Sequence, residues 1–383
     1  MSIEEDIRST RTTSTKWMKY PPDIVPAWIA DMDLGIAPAI AEELTKHIQN
    51  GDLGYPCADI ESKFLNAFAD RYLEHFNTPL DPTLALTCTD VVQSIYTAIL
   101  TLTRPGEGII VQTPIYPPFL QSVKDTGRTL CENPLIRQNE TWKINLDELG
   151  LLARDPNTTM LLLCSPHNPT GRVFTQEELV QIADVCGRNN VVVVSDEIHS
   201  DIVYDPNFHI PFASISPHLA SNVITMTSAT KSFNIAGLRC SVVHFGSLEL
   251  KSRYEKVNPH VRGSVSTLSM LAATSAWTKG DGWLTSTLAT LRANRDTITK
   301  FVERESHSGL KFIPPQGTYL AWLDFRETKA SQDTHGFLLQ HARVGLSPGS
   351  DFGTPGTGWA RLNFATKPEI LDDILNRISM AIS

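Results

Sequence analysis

Thr158-Thr-Met-Leu-Leu-Leu-Cys164 and Asn190-Val-Val-Val-Val-Ser195 are two apolar runs of strand length, and the residues between them spell a turn and a helix. Neither run alternates polar with apolar, which is the pattern of a strand covered on both faces. The turn is Ser165-Pro-His-Asn-Pro-Thr-Gly171. The helix starts at Thr175, an N-cap with Glu178 three residues on in capping-box position, and continues with Leu179, Ile182, Ala183 and Cys186 on one stripe. Strand, helix and strand in this order predict a mostly parallel sheet with helices on both faces.

The same alternation extends in both directions. Leu84–Cys88 reads as a short buried strand and Val91–Thr103 as a helix ended by Pro105-Gly106. Gly108–Gln112, Val223–Thr227 and Ser241–Phe245 read as further strands. After about residue 270 the texture changes to a long helical region, Leu271–Glu305, broken near Gly280–Gly282, followed by strand candidates Gly317–Phe325 and Trp359–Ala365 between Pro/Gly-rich loops. The expected division is an N-terminal arm with part of a small domain over 1–45, a large domain over 46–275 and a small C-terminal domain over 276–383.

Composition narrows the function classes. With 383 residues, 41% hydrophobic and 20% charged, the chain can bury a large core. A formal charge of −9 and the lack of any Lys/Arg run longer than two residues argue against nucleic-acid or membrane-surface partners. The apolar runs are far too short for a bilayer span, and Met1–Arg11 is polar with no signal-peptide core, so a cytoplasmic protein is expected. The six cysteines, Cys57, Cys88, Cys131, Cys164, Cys186 and Cys240, show no metal-ligand spacing and read as reduced core or near-core thiols; no metal is expected.

Four polar features fall just past the predicted strands, where open α/β sheets place ligands. Asn168 lies in the turn after Cys164, Asp196 follows the Val191–Val194 run with His199 three residues later, and Ser228-Ala-Thr-Lys-Ser-Phe-Asn-Ile-Ala-Gly-Leu-Arg239 follows Thr227. A lysine inside a run of small and apolar residues suits Schiff-base chemistry, because desolvation lowers its pKa and frees the neutral amine.

The order Asn168, Asp196, Lys231, Arg239, at separations of 28, 35 and 8 residues, resembles the fold-type-I pyridoxal-phosphate enzymes of the class I/II aminotransferase superfamily. Pro26-Ala-Trp-Ile-Ala-Asp-Met-Asp33, Gly54-Tyr-Pro56, Thr113-Pro-Ile-Tyr-Pro-Pro-Phe119, Ser195-Asp-Glu-Ile-His199 and Lys231-Ser-Phe-Asn-Ile-Ala-Gly237 are similar to the MalY/PatB-type branch, cystathionine β-lyases and carbon–sulfur lyases. The resemblance implies an α/β fold, with a mostly parallel sheet of the seven-stranded type sandwiched by helices and a smaller α+β C-terminal domain.

It also implies roles for individual residues. Lys231 would carry the cofactor pyridoxal 5'-phosphate and move the Cα proton, Asp196 would hold the ring nitrogen protonated, and Asn168 would donate to the phenolic oxygen with His199 beside it. Tyr116 would stack on the ring, and Ser228 and Arg239 would bind the phosphate together with the backbone at Asp90 and Val91. Arg361 would hold the substrate carboxylate, with Trp28 and Asp31 bordering the substrate, and Tyr55 would reach the phosphate of a neighbouring subunit in a homodimer.

One departure is chemical. The family usually has Gly-Val-Val where this chain has Asp90-Val-Val92, and a carboxylate aimed at a phosphate would repel it. The expected resolution is that Asp90 caps the helix while the backbone of Val91 faces the phosphate; Gln93, where proline is common, belongs to the same loop. The expected reaction is β-elimination from a small amino-acid substrate, cystathionine or a cysteine S-conjugate, giving thiol, pyruvate and ammonia. An aminotransferase or a specialised biosynthetic relative is the alternative, since these residues serve both routes. A non-catalytic regulator keeping the fold is a further alternative, and the intact lysine, aspartate and arginine set argues against it.

Overall fold

The computed structural model describes residues 3–383, without the side chains of Ile3, Glu4, Asp6, Pro217 and His218. Met1 and Ser2, the start of the polar N-terminal stretch, lie outside the described residues. The main sheet has seven strands, Ala85–Cys88 (β1), Gly108–Val111 (β2), Thr129–Glu132 (β3), Thr158–Cys164 (β4), Val192–Asp196 (β5), Val223–Thr227 (β6) and Ser241–Phe245 (β7), in the order β1-β7-β6-β5-β4-β2-β3. Strands β2 to β6 pair in parallel, and β7 runs antiparallel to both its neighbours.

The unbroken apolar runs have the expected cause. Along β4, Met160, Leu162 and Cys164 enter one buried cluster while Leu161 and Leu163 enter the cluster on the opposite face. Val193 and Val194 of β5 divide in the same way. One cluster lies under the helices Val91–Leu102 (α1) and Pro117–Asp125 (α2), the other under Gln176–Arg188 (α3), whose capping box at Thr175 and Glu178 is formed as the sequence predicts.

The sheet departs from the sequence reading in two ways. The edge strand β3, Thr-Leu-Cys-Glu, was not expected, because a four-residue, half-buried edge carries neither alternation nor an apolar run. The reversed direction of β7 is not expressed in its residues either, yet it places the residues just before β7 at the same end of the sheet as those just after β1, β4, β5 and β6.

The long helical region divides at Gly280 into Thr267–Lys279 (α4) and Asp281–Arg304 (α5). A four-stranded antiparallel sheet then follows, in the order Lys311–Phe312 (β8), Leu320–Asp324 (β9), Trp359–Asn363 (β11), Ser347–Pro348 (β10). Its own buried cluster draws in Trp17, Val25, Ala27, Ala30 and Met32, so the N-terminal segment packs on the C-terminal sheet and not on the main one. Cys57 is a correction to the thiol reading: it is exposed, and five cysteines are buried or half-buried.

Candidate active site

A cavity of about 620 Å³ opens at the ends of β1, β4, β5 and β6. Because those strands are parallel, one edge of the sheet delivers Asp90, Asn168, Asp196, His199 and Lys231 to a single hollow, and the antiparallel β7 adds Arg239 from the segment before it. Tyr116 comes from the segment after β2, and Arg361 from the middle of β11 in the C-terminal sheet.

Lys231 and Asp196 are the cavity's buried amine and a buried carboxylate, both strongly shifted. The lysine is enclosed, and burial brings its ammonium down to about 8. Its Nζ donates to the Ala30 carbonyl at 2.7 Å, and that carbonyl also accepts from Tyr319 Oη at 3.2 Å. Burial raises Asp196 to about 7, and its one donor is the Ile198 amide, at 3.0 Å to Oδ1. A buried amine and a buried carboxylate that both lean toward their neutral forms are groups held ready for a partner brought by a ligand.

Arg361 is held through both Nη atoms, while its buried Nε has no partner. Nη1 donates to Asn168 Oδ1 at 3.0 Å, and Nη2 to the Trp28 carbonyl at 2.9 Å and Ser347 Oγ at 3.2 Å; burial brings the guanidinium down to about 10. Asn168 thus orients its amide with Oδ1 on the arginine, and its Nδ2, with no partner in the protein, is left as a donor at the cavity wall. His199 is brought down to about 3, chiefly by burial; its ring meets Tyr319 edge-on with centroids 5.8 Å apart, and Nδ1 has no partner. It enters the site as a neutral imidazole.

Asp90 is the N-cap of α1, with Oδ1 accepting from the Gln93 amide at 2.8 Å, as the sequence predicts. Its other oxygen takes a contact that the sequence does not reveal: Arg239 Nη1 lies 2.6 Å from Oδ2. The helix amides and the arginine expected to meet a phosphate are therefore joined by a carboxylate of the chain itself.

Four expected residues fall outside the cavity wall. The Ser228 hydroxyl is turned onto the Cys240 carbonyl and also accepts from the Thr230 amide, so Thr230 is the hydroxyl residue that lines the cavity. The Trp28 indole points to the Lys16 carbonyl and stacks with the Lys19 ammonium, and it is the Trp28 carbonyl that serves the site. Asp31 contributes charge, favouring the protonated lysine, while Asn363 Nδ2 holds its backbone at 2.7 Å. Tyr55 is fully exposed beside a shallow hollow formed by 53–56 and 264–268, away from this cavity.

Glu197 was missed although it stands inside a quoted motif. Completely buried, it accepts from Ser195 Oγ (2.8 Å), Tyr72 Oη (3.0 Å), His209 Nε2 (3.0 Å) and the Phe212 amide (2.9 Å). A second carboxylate directly after a buried strand was the available signal. Asn234 and Asn363 were also unassigned; they grip the backbone of residues 29–35, Asn234 through the Met32, Leu34 and Gly35 carbonyls and Asn363 through those of Ile29 and Asp31. Among the described residues no group of three or more His, Cys, Asp and Glu is placed to hold a metal ion.

The family model for aminotransferase class I and II matches residues 29–378. Cystathionine beta-lyase PatB of Bacillus subtilis is 32% identical over 390 residues, covering all of both chains. Among solved structures, cystalysin from Treponema denticola, which contains a pyridoxal 5'-phosphate cofactor, superposes with a TM-score of 0.92 at 29% identity, over 97% of this chain and 96% of that one. The pyridoxal-phosphate-bound C–S lyase from Staphylococcus hominis also gives 0.92, at 26% identity over 100% and 99% of the two chains.

Proposed function

The chain belongs to the aminotransferase class I and II family, and on that premise we propose that it is a pyridoxal 5'-phosphate-dependent carbon–sulfur β-lyase, cleaving cystathionine or a cysteine S-conjugate to thiol, pyruvate and ammonia. The observation that carries the proposal is the enclosed pair of Lys231 and Asp196, both biased toward neutrality, in one cavity with Arg361 and Asn168. The cofactor fits these residues. A neutral amine at Lys231 can bond its aldehyde carbon, Asp196 can take the charge of a protonated ring nitrogen, and the amide Nδ2 of Asn168 can donate to its phenolic oxygen. Tyr116 supplies a ring face, and Arg239 with the N-terminus of α1 supplies the anion site.

When bound, pyridoxal phosphate supplies the electron sink that acidifies the substrate Cα–H bond and lets a β-thiolate depart. The chain supplies orientation and proton transfer. Arg361 takes the α-carboxylate through a planar fork that lysine could not copy. Lys231 Nζ, whose ammonium burial brings down to about 8, would be the base placed to move the Cα proton. Burial of His199, Tyr319 and Arg361 keeps water away from that transfer.

A homodimer belongs to this proposal, with Tyr55 the residue that would reach a second copy's site; its support is that Tyr55 and Leu53 are exposed beside the hollow formed by 53–56 and 264–268. The division at about 46 and 276 and a cytoplasmic setting complete it; the six cysteines are free, and among the described residues no helix is long and apolar enough to cross a membrane. The test is the visible spectrum of the protein with pyridoxal phosphate, followed by L-cystathionine with assays of pyruvate and free thiol, beside Lys231→Ala. A cofactor band absent in the variant and pyruvate release are expected. A band without pyruvate would refute the lyase and favour transamination.

A further inference from the structure

We propose that Glu197 is a positioning residue that acts through Asp196: a buried carboxylate without a cation, one residue along the chain, whose charge keeps a proton in the pair formed by Asp196 and the cofactor's ring nitrogen. The proposal rests on the use of pyridoxal phosphate inferred above and deepens it.

The donors around Glu197 define its charge. Oε1 accepts from Ser195 Oγ at 2.8 Å and the Phe212 amide at 2.9 Å, and Oε2 from Tyr72 Oη and His209 Nε2, both at 3.0 Å. Two bonds to each oxygen use the acceptor capacity of an ionised carboxylate. His209 fixes the remaining choice. Its Nδ1 is buried without a partner, and a proton there would be an orphaned donor, so the ring is neutral and carries its one hydrogen on Nε2.

The charge is not cancelled by a neighbour. Among the described residues the one ion-pair distance to Glu197 is that of His209, whose ring is neutral. Arg71, next to Tyr72, is spent on Asp201 at 2.9 Å and Asp281 at 2.5 Å. His244, which also feels Glu197, is brought down to about 4 by burial and carries no charge at pH 8.

The backbone keeps this carboxylate in register with both groups of the cavity. The Glu197 amide donates to the Met226 carbonyl at 2.8 Å, and its carbonyl accepts from Thr227 Oγ1 at 3.2 Å, at the end of β6 that leads to Lys231. Asp196, one residue back, lines the cavity. Burial is the first cause that raises Asp196, and the Glu197 charge adds to it. In a buried setting an uncompensated negative charge favours a proton nearby. The cofactor brings a base that can share that proton, and its electron sink depends on having it.

The experiment measures equilibrium binding of two ligands to the apoprotein at pH 8. One is pyridoxal 5'-phosphate; the other is 1-deazapyridoxal 5'-phosphate, which keeps the aldehyde, phenol and phosphate but has carbon in place of the ring nitrogen. Glu197→Gln removes the charge. His209→Lys cancels it with Glu197 in place, and His209 lines a second hollow of about 800 Å³, which gives a longer side chain room. For both variants we expect Kd for pyridoxal phosphate to rise about tenfold, the scale of one pKa unit, and Kd for the deaza analogue to stay within twofold. If Glu197→Gln does not fold, His209→Lys decides. An equal loss for both ligands would make Glu197 a structural residue, and an unchanged affinity for pyridoxal phosphate would mean its charge does not reach the ring; either overturns the proposal. A wild type that binds neither ligand refutes the cofactor assignment, and the proposal falls with it. The lyase reading is tested separately by pyruvate release, which these binding constants do not involve.

Discussion

Replacing Asp196 by Asn should stabilise the cofactor-free protein while abolishing its use of the cofactor, and the gain should depend on pH in a defined way. Asp196 is 6% exposed, with one amide donor and no cation bonded to it. Burial moves it from the ordinary 3.8 to about 7. Below pH 3.8 the carboxyl is protonated in both folded and unfolded chains and costs nothing. As pH rises from 3.8 toward 7 the unfolded chain ionises first, so stability is lost progressively, and above 7 the loss levels off at roughly 4 kcal/mol. Asparagine has nearly the same shape, keeps an oxygen for the Ile198 amide and does not titrate. Urea unfolding of the apo forms, followed by tryptophan fluorescence, should therefore show Asp196→Asn ahead of wild type by about 4 kcal/mol at pH 8 and by roughly 0.5 kcal/mol near pH 4. No gain at pH 8, or the same gain at both pH values, would refute the reasoning that an uncompensated buried carboxylate is held there. With cofactor added the order should reverse, because only wild type has a counter-charge for the ring nitrogen.

Three further outcomes follow from the site. Uptake of pyridoxal phosphate by the apoprotein, followed as growth of its visible band, should accelerate with pH around a midpoint of about 8, since Lys231 is a nucleophile only when neutral; a rate flat between pH 6 and 9 would contradict its burial. Asp90→Gly should tighten cofactor binding severalfold in a spectroscopic titration by freeing Arg239, because the pair it breaks is solvent-accessible and modest and glycine still caps the helix; weaker binding would show that the carboxylate supports the phosphate site. Glu197→Gln should cost about 2–4 kcal/mol in urea unfolding, since it replaces one acceptor oxygen of a buried group that satisfies four donors, and a neutral effect would refute that the four donors depend on it.

What the sequence made legible follows from what burial does to residue choice. Strands covered on both faces are mostly apolar, so β4 and β5 are visible as runs and the residues at their ends stand out as polar exceptions, while β6 keeps buried Thr225 and Thr227. That is enough to find Asn168, Asp196 and Lys231. Strand direction leaves no such mark, and neither does the orientation of a single side chain within a turn. Ser228 and Thr230 are both hydroxyl residues beside the same lysine, and only the short helix 229–232, capped by Ser228, decides that the first faces the Cys240 carbonyl and the second the cavity. Trp28 was expected only to border the substrate, and the structure brings its backbone carbonyl, not its indole, to Arg361. Cys57 reads like the other cysteines, but it stands at the N-cap of the helix Ala58–Phe76, where nothing covers it.

Residues 28–35 show why the site and the fold cannot be separated here. They form no helix or strand, so their carbonyls need partners from elsewhere in the chain. Many of those partners are side chains in or beside the site: Arg361 for Trp28, Asn363 for Ile29 and Asp31, Lys231 and Tyr319 for Ala30, and Asn234 for Met32, Leu34 and Gly35; Arg11 and Lys16 from the N-terminal segment add donors to Met32, Leu34 and Asp31. The wall above the cavity is therefore shaped by the residues it encloses. When Lys231 is committed to the cofactor, Ala30 keeps only Tyr319, and the segment is anchored by Asn234 on one side and by Arg361 and Asn363 on the other. Those anchors come from separate parts of the chain, Asn234 from the turn after β6 and the other two from β11.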